Sequence, residues 1–433
     1  MRHFTLITLS LLVCGMPVAW AQKVLPTHQT EYIYDEENGD WMPGGEYTYR
    51  YDADGNILQQ DYDDGSTISR TINEWSKEGL NTLLLEQTSD DGGQTFTNST
   101  KRVQTYDMLY PRLITLSKDR YQWAGSDWVA TGDAFRRNVT RDADGNVLSL
   151  TVAVPYNGAF DEMQRYTNTV DPTTRQINSF KFEELGYSES GNDLIWKTSQ
   201  YLRNLVWKET NGQLVGEFSD WMSLGNKLSS ATITSIEGTD TVDIATVCIT
   251  YDDKGGYVET VAYTDEPSQI VTIYTVDDAN GSNTLEEIDY MDMDEDGEYT
   301  EADICMRIKQ VQRYDEKGSL VEEQLFESDE DGTSLTQTAG TRYDISYDTI
   351  YPDAEAEVVM SEWNYESQMY VPIMRIVSDR YTDVTAISGV KVNSTSANGV
   401  YNMQGMKIAD SLPADGHGIL IVRKDGKSVK VMR

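Results

Sequence analysis

The sequence is poor in the residues that metal clusters and nucleophilic triads need. It contains three histidines and three cysteines in 433 residues, and the N-terminal segment that we expect to be removed takes one of each. His28 and His417 then stand near opposite ends of the chain. We therefore expect neither a histidine-based triad nor a zinc cluster. The two remaining cysteines, Cys248 and Cys305, are too few for a disulfide framework.

Basic residues are also scarce. Lys and Arg total 35 against 72 Asp and Glu, which gives a formal net charge of -37. Nucleic acid and anionic lipid require clustered Lys and Arg, so neither is an expected partner. The acidity is typical of an exposed protein kept soluble by its charge. An affinity for divalent cations is the second interpretation.

Only one apolar run is present, and it lies at the amino end. Arg2 precedes the run from Phe4 to Val13, and Ala19-Trp20-Ala21 closes it. This three-part layout predicts a cleavable secretory signal over residues 1–21. The run is shorter than the about 20 residues that a membrane-spanning helix needs, and no later segment is longer. We therefore expect Sec export to the periplasm and a mature chain without a membrane-spanning segment.

The chain contains a degenerate internal repeat. An Asp-x-x-Gly phrase follows a strand-like segment at 51–56, 141–146, 251–255 and 314–318. Asp accepts backbone amides at the start of such a turn and Gly closes it, so each phrase predicts a β-hairpin. A second turn type, seen at 36–41, 89–93 and 328–332, alternates with the first.

The segments between the turns have the period of β-strands. Tyr47, Tyr49 and Tyr51 alternate with polar residues and would share one face of a strand. Residues 193–209 also have spacings that a helix could use, but the surrounding turns and aromatics favour strand. The predicted fold is all-β: antiparallel hairpin or meander repeats in an extended twisted sheet over 22–383, as one region or two sub-domains, followed by a small C-terminal β-sandwich-like module.

The alternation of Tyr-Asp-x-x-Gly-Asn turns with Gly-x-Trp turns resembles the tyrosine-aspartate (YD/RHS-like) hairpin repeats of bacterial exported proteins, over roughly residues 30–380. The resemblance implies a scaffold or wrapping role for the repeats. The chain departs from the pattern at Arg141, which stands where the repeat has Tyr.

The C-terminal segment differs in charge. Residues 384–433 hold seven Lys or Arg and three Asp, whereas the preceding body is strongly acidic. Gly399 to Ile408 and Gly418 to Val431 form two Gly-led strand pairs with a basic, Val-rich ending. This segment resembles the C-terminal sorting domain of type IX secretion in Bacteroidota. The resemblance implies the type IX machinery as partner and a secreted or outer-membrane, cell-surface location.

One segment matches a calcium loop. Asp292, Asp294 and Asp296 alternate before Gly297, and Asp303 stands at the twelfth place. The segment resembles the calcium loop of dockerins, which implies these four side chains as ligands. The alternative is an acidic hairpin turn, because residues 290–318 match the character of residues 32–55, which lack the ligand pattern.

The favoured function is a non-enzymatic interaction or scaffold protein, secreted or at the cell surface, which contacts host or matrix glycans or proteins. Two alternatives stay open: an exported glycan-active hydrolase that uses a carboxylate pair, and a calcium-dependent glycan-binding protein. No catalytic or cofactor-binding residue is assigned, and calcium is the one candidate ion. A pocket that holds two carboxyls with separated pKa values would favour the hydrolase.

Overall fold

The structure is a computed structural model. It describes residues 23–109, 114–143, 145–174, 176–188, 193–210, 226–237, 240–264, 266–292, 294, 296–329, 332 and 334–384, with four short strands after residue 398. The proposed signal segment and His417 lie outside the described residues. The chain divides into two compact units, Met1–Val384 and Thr385–Arg433.

Unit 1 is built almost entirely of antiparallel strands. In chain order they are Lys23–Asp35 (β1), Asp40–Tyr51 (β2), Ile57–Asp63 (β3), Ile68–Trp75 (β4), Asn81–Ser89 (β5), Thr97–Tyr106 (β6), Thr115–Trp123 (β7), Trp128–Ala130 (β8), Phe135–Arg141 (β9), Val147–Tyr156 (β10), Ala159–Val170 (β11), Ile177–Tyr187 (β12), Leu194–Glu209 (β13), Lys227–Glu237 (β14), Asp240–Tyr251 (β15), Tyr257–Tyr263 (β16), Ser268–Asp277 (β17), Ser282–Met291 (β18), Ile304–Tyr314 (β19), Leu320–Ser328 (β20), Leu335–Tyr347 (β21), Glu355–Asn364 (β22) and Met369–Val384 (β23). A 3-10 turn, Glu301–Asp303, precedes β19. Residues 194–209 are strand β13, which confirms the strand prediction for that segment.

The sheet closes on itself. Apart from β8 and β9, successive strands pair with each other, and β1 also pairs with β23, from Lys23 opposite Val384 to Ile33 opposite Met374. Strands β8 and β9 pair with successive parts of β7, so the ring has 22 strand positions. The prediction of an extended twisted sheet is therefore wrong. The hairpin repeat indicates each local pairing, but the pairing of β1 with β23 joins segments about 350 residues apart and has no local signal.

The two faces of the closed sheet differ. A cluster of buried apolar residues lies on one face, and most of its members come from β10 to β16; they include Leu150, Phe180 and Val247. Since alternate residues of a barrel strand point inward and outward, we call the face with these buried residues the inner face. The outer face carries cross-strand ion pairs, such as Arg70 with Asp61 and Arg307 with Glu286.

The Tyr-Asp turns all lie at one end of the ring, which we call the Tyr-Asp end. In the turn at 252–256, Oδ1 of Asp252 accepts the N–H groups of Lys254 and Gly256 at 2.8 and 2.7 Å. Gly255 has φ +94°, a conformation that side chains disfavour. Asp52 and Asp315 make the equivalent bonds in their turns. The predicted hairpin role of the phrase is thus confirmed.

In several hairpins, an aromatic residue near the end of the second strand closes the open end. The Tyr51 hydroxyl donates to the backbone oxygen of Pro26 on the adjacent strand. Four further rings donate to the backbone oxygen of the first residue of the adjacent strand: Trp75 to Ile57, Tyr106 to Asn81, Trp207 to Ile177 and Tyr381 to Glu355. Arg141 makes a comparable link by an ion pair with Asp107, the first residue of the preceding turn. The Tyr and its replacement therefore share a structural role.

The opposite end, which we call the acidic end, holds the second turn type. Its connecting segments carry Asp and Glu but neither Lys nor Arg. Edge-to-face aromatic pairs brace several of its hairpins: Tyr34 with Trp41, Trp123 with Trp128, and Trp363 with Tyr370, at centroid separations of 5.2–5.3 Å. These rings serve cross-strand packing, as the spacing of the aromatics in the sequence suggests.

Unit 2 is a single four-stranded antiparallel sheet. Its strands are Gly399–Tyr401 (β24), Lys407–Ala409 (β25), Ile419–Lys424 (β26) and Lys427–Met432 (β27), in the order β25-β24-β26-β27. The predicted strand pairs are present, but one sheet replaces the predicted β-sandwich-like module. Within the described residues of the chain, there is no helix long and apolar enough to cross a membrane.

Candidate functional site

The predicted calcium loop joins β18 to β19 at the acidic end. Carboxylate oxygens of Asp292, Asp294 and Asp296 all lie within 4.8 Å of one another. Asp292 is buried, and its two oxygens accept the N–H groups of Asp296 and Gly297. The structure therefore brings three of the four predicted ligands together.

Asp303, the fourth predicted ligand, has a different local role. Its Oδ2 accepts the backbone N–H and the hydroxyl of Thr300 at 2.9 and 2.8 Å, which caps the 3-10 turn before β19. The pKa of Asp294 is raised. The hydrogen bond from the N–H of Asp296 acts to lower it, but the charge of Asp296, slight desolvation, a hydrogen bond with Asp292 and the charge of Asp303 together outweigh that bond. Crowded carboxylates of this kind suit a divalent cation.

A second group of carboxylates lies on the inner face. Glu259 on β16 and Glu287 on β18 both stand opposite Thr272 of β17, so they share a face two strand spacings apart, about 10 Å at the backbone. Burial, and then the charge of Glu287, raises the pKa of Glu259 to about 7. Burial, and then Asp289, raises the pKa of Glu287, and burial raises that of Asp289.

A shallow cleft lies beside these carboxylates at the Tyr-Asp end of β15 to β17. Its volume is about 230 Å³. Its lining residues are Thr250, Tyr251, Asp252, Tyr257, Val258, Ile273, Tyr274 and Thr275. The rings of Tyr257 and Tyr274 stack at 5.5 Å. Asp252 is the one carboxylate in this lining, and it already serves its own turn. The cleft thus lacks the pair of carboxyls that would favour a hydrolase.

His28 lies at the seam where β1 meets β23. Its ring is buried, with Nδ1 2.5 Å from Asp379 of β23 and Nε2 3.4 Å from Glu46 of β2. The register shifts on both sides of His28. This histidine therefore links three strands at the point of closure, which no sequence spacing indicates.

The inner-face charges were missed at the sequence level. Glu259 and Glu287 occur in ordinary strand alternation, and acids are abundant throughout the chain. Their environment depends on ring closure and on the neighbouring core. Cys248 and Cys305 are both exposed and do not form a disulfide with each other.

Comparisons with known proteins place the chain in no family. No protein-family model matches it, and no curated protein matches it.

Among solved structures, the chain is similar to the crystal structure of TcdB2-TccC3-Cdc42, with 11% identity and a TM-score of 0.27 over 94% of this chain and 23% of that chain. A structure of TcdB2-TccC3 gives 11% identity and a TM-score of 0.25 over 93% and 27%. A porin-like protein from Bacteroides uniformis ATCC 8492 gives 8% identity and a TM-score of 0.25 over 83% and 98%. The chain spans about a quarter of the length of the first two.

Proposed function

We propose that the protein is a non-enzymatic interaction or scaffold protein, exported through the type IX route and secreted or held at the cell surface. The observation that carries this proposal is that the residues that define the repeat have structural roles. The Asp side chains of the Tyr-Asp turns, such as Asp52 and Asp252, close their own turns, and Tyr51 and Tyr106 clamp their hairpins. A repeat whose recurring residues serve architecture is suited to display surfaces for contact.

The contacts would be made by exposed residues that take no part in hairpin clamping. The turns of the acidic end, including Asp64, Glu298 and Glu366, are exposed and present carboxylates to solvent. Host or matrix glycans and proteins are the proposed partners. The acidic body and the basic unit 2 fit a division between a displayed region and a sorting region.

The experiment that tests export is fractionation of the native bacterium with mass mapping of the protein's carboxyl end. A species found outside the cell and ending near residues 380–395 supports type IX export with removal of unit 2. An intact species that ends at Arg433 and stays in the periplasm would reject that route.

A glycan-active hydrolase is the second candidate, and Glu259 favours it. A carboxyl with a pKa of about 7 can act as a general acid near neutral pH. Glu287 lies on the same face and would be the second carboxylate, since inverting glycosidases separate the pair by about 6.5–9.5 Å. Release of reducing ends from a glycan panel by the native protein, lost in both Glu259→Gln and Glu287→Gln, would support this candidate. Unchanged release in either variant would reject it.

A further inference from the structure

Strands β6, β7 and β9 place an unusual set of cations on the inner face. Arg102 of β6 stands directly opposite Arg120 of β7, and Gln104 stands opposite Lys118. Lys118 in turn pairs with Phe135 of β9, which puts Arg137 two residues along the same face. Phe135 and Val139 pack against the buried core, so this is the inner face. In a chain of net charge -37, four cations in one patch call for an explanation.

Arg102 is the least satisfied of these groups. Its Nε is buried and has no hydrogen-bond partner among the described residues. Its direct cross-strand neighbours are Leu84 and Arg120, so neither supplies a negative charge. Glu86 is the acid on this face of β5, but it stands opposite Thr100, which donates to it. Like charges placed directly opposite on a sheet are destabilising, and a buried donor atom without a partner is costly.

The outer face provides the contrast. There Arg70 donates through Nε and an NH2 nitrogen to both oxygens of Asp61 at 2.8 Å. Arg136 pairs with Asp119, and Arg375 with Glu357, in the same cross-strand manner. The sheet thus supplies a carboxylate to these outer arginines and withholds one from Arg102. A cation with a purely structural role would be expected to have a cross-strand carboxylate partner, as the arginines of the outer face do.

The patch is open to a ligand. The Arg120 side chain is 49% exposed, and that of Lys118 is 25% exposed. Their one acid in common is Asp133, which binds Lys118 closely at 2.5 Å and Arg120 only at 3.5 Å. A guanidinium pair with adjacent neutral donors, here the amides of Gln104 and Gln122, supplies the hydrogen-bond donors that bind planar or tetrahedral oxyanions.

We propose that Arg102 and Arg120, with Lys118 beside them, bind an oxyanion, such as the sulfate or carboxylate of an acidic glycan, on the inner face. The proposal rests on the proposed binding function, because it names the charge class of the ligand. The bound anion supplies the negative charge that the strands omit. It also removes the repulsion between the two opposed guanidinium groups.

The test measures thermal stability and affinity of the mature protein with two probes, sodium sulfate and a sulfated hexasaccharide. Sodium chloride of equal ionic strength and the desulfated hexasaccharide serve as their controls, since screening alone weakens the repulsion. We expect both sulfated probes to raise the melting temperature above their controls. Stabilisation by sodium sulfate alone would identify free anion as the ligand, and tighter binding of the hexasaccharide would identify an acidic glycan.

The variants separate a binding role from a structural one. Arg102→Gln should raise the melting temperature without anion, because it removes a like-charge pair, and should weaken binding by about tenfold or more. Arg120→Gln, at a more exposed position, should weaken binding similarly if Arg102→Gln fails to fold. Arg342→Gln, an exposed arginine beside Asp344, is the matched control and should change affinity less than about twofold.

Three results would overturn the proposal. The first is absence of any sulfate-specific stabilisation. The second is an Arg102→Gln variant that is less stable without anion yet binds sulfate normally, which would make Arg102 a structural residue. The third is an equal loss of affinity in Arg342→Gln, which would indicate nonspecific charge attraction. Binding of the desulfated hexasaccharide alone would reject the anion site while leaving the proposed binding function intact.

Discussion

Two arcs of the inner face of the ring differ in chemistry. Along β10 to β16 it is apolar, and Phe180, Leu150 and Leu228 are almost completely buried. Along β6 to β9 it carries Arg102 and Arg120, which stand opposite each other. The first arc resembles the core of a globular domain, whereas the second places charge where a core would place methyl groups. The difference indicates that one arc stabilises the ring and the other is available for a ligand.

A third region lies beside the apolar arc. Glu259 of β16 stands opposite Ile249, a core residue, yet it is a carboxylate with a pKa near 7. The basic and acidic arcs therefore flank the apolar one with opposite charge. Variants in each region should change stability or binding by different amounts and with different signs, which tests the contrast among the three regions.

The largest effect is expected in the apolar arc. Phe180→Ala should lower the free energy of unfolding by about 3–5 kcal/mol, because it removes a buried ring and leaves a cavity. Urea unfolding measures the loss. Phe160→Ala, the same change at a ring that is 41% exposed and lies under Arg136, is the matched control and should cost about 1 kcal/mol or less. Equal losses in the two variants would contradict the assignment of the core to this arc.

The acidic arc should give a pH-dependent effect of opposite sign. The folded-state pKa of Glu259 is about 7 against an ordinary 4.5, so the folded protein holds this proton more tightly than the unfolded chain. As pH rises between those two values, the unfolded chain loses this proton before the folded protein does. The free energy of unfolding therefore falls, by roughly 3 kcal/mol at most. Glu259→Gln should therefore be more stable than the native protein at pH 8.

The difference between Glu259→Gln and the native protein should shrink toward pH 5. Urea unfolding at several pH values measures it, with Glu316→Gln, a change at an exposed turn, as the control. A constant difference across this range would show that Glu259 does not titrate in the way its burial requires.

The acidic end gives the next prediction. If the loop at 292–303 binds calcium, a concentration 100 times the dissociation constant should stabilise the fold by about 2.7 kcal/mol. Asp294→Asn should abolish that stabilisation, since it removes one of three converging carboxylates. Asp278→Asn, at an exposed turn of the Tyr-Asp end, should keep it. Calorimetry that detects no calcium binding to the native protein would leave the loop as a hairpin turn.

The smallest effect is expected at the Tyr-Asp end. Tyr51→Phe removes the hydroxyl that donates to Pro26 while keeping the ring, so the loss should be about 1 kcal/mol. Thermal unfolding measures it against Tyr365→Phe, at a ring that is 59% exposed and should give no change. A loss in Tyr51→Phe no larger than that control would show that the hydroxyl clamp does not stabilise the hairpin.

Local structure could be predicted from the sequence because its causes are local. The Asp52 and Asp252 turns, the alternation at Tyr47 to Tyr51 and strand β13 all follow from residues near one another in the chain. The resemblance to tyrosine-aspartate repeats also agrees with the hairpin architecture. Arg141, which breaks the repeat pattern, keeps the link between successive turns by pairing with Asp107.

Closure of the ring and the inner-face charges could not be predicted. Whether β1 meets β23 depends on the accumulated twist and register of all the intervening strands, which no single residue specifies. Arg102 becomes unusual only when register places it opposite Arg120, and Glu259 only when the core surrounds it. Three of the predicted loop ligands, Asp292, Asp294 and Asp296, lie together because they are close in sequence. Asp303 is not in that group, because its carboxylate accepts a hydrogen bond from Thr300.

The most direct test of the account is to incubate the mature protein with a sulfated hexasaccharide, measure binding, and determine the mass of the recovered sugar. A non-enzymatic binding protein should retain the hexasaccharide and return it with unchanged mass, and Arg102→Gln should reduce the retained amount. Shorter fragments, formed by the native protein and absent with Glu259→Gln, would contradict the account and identify the inner-face carboxylates as catalytic.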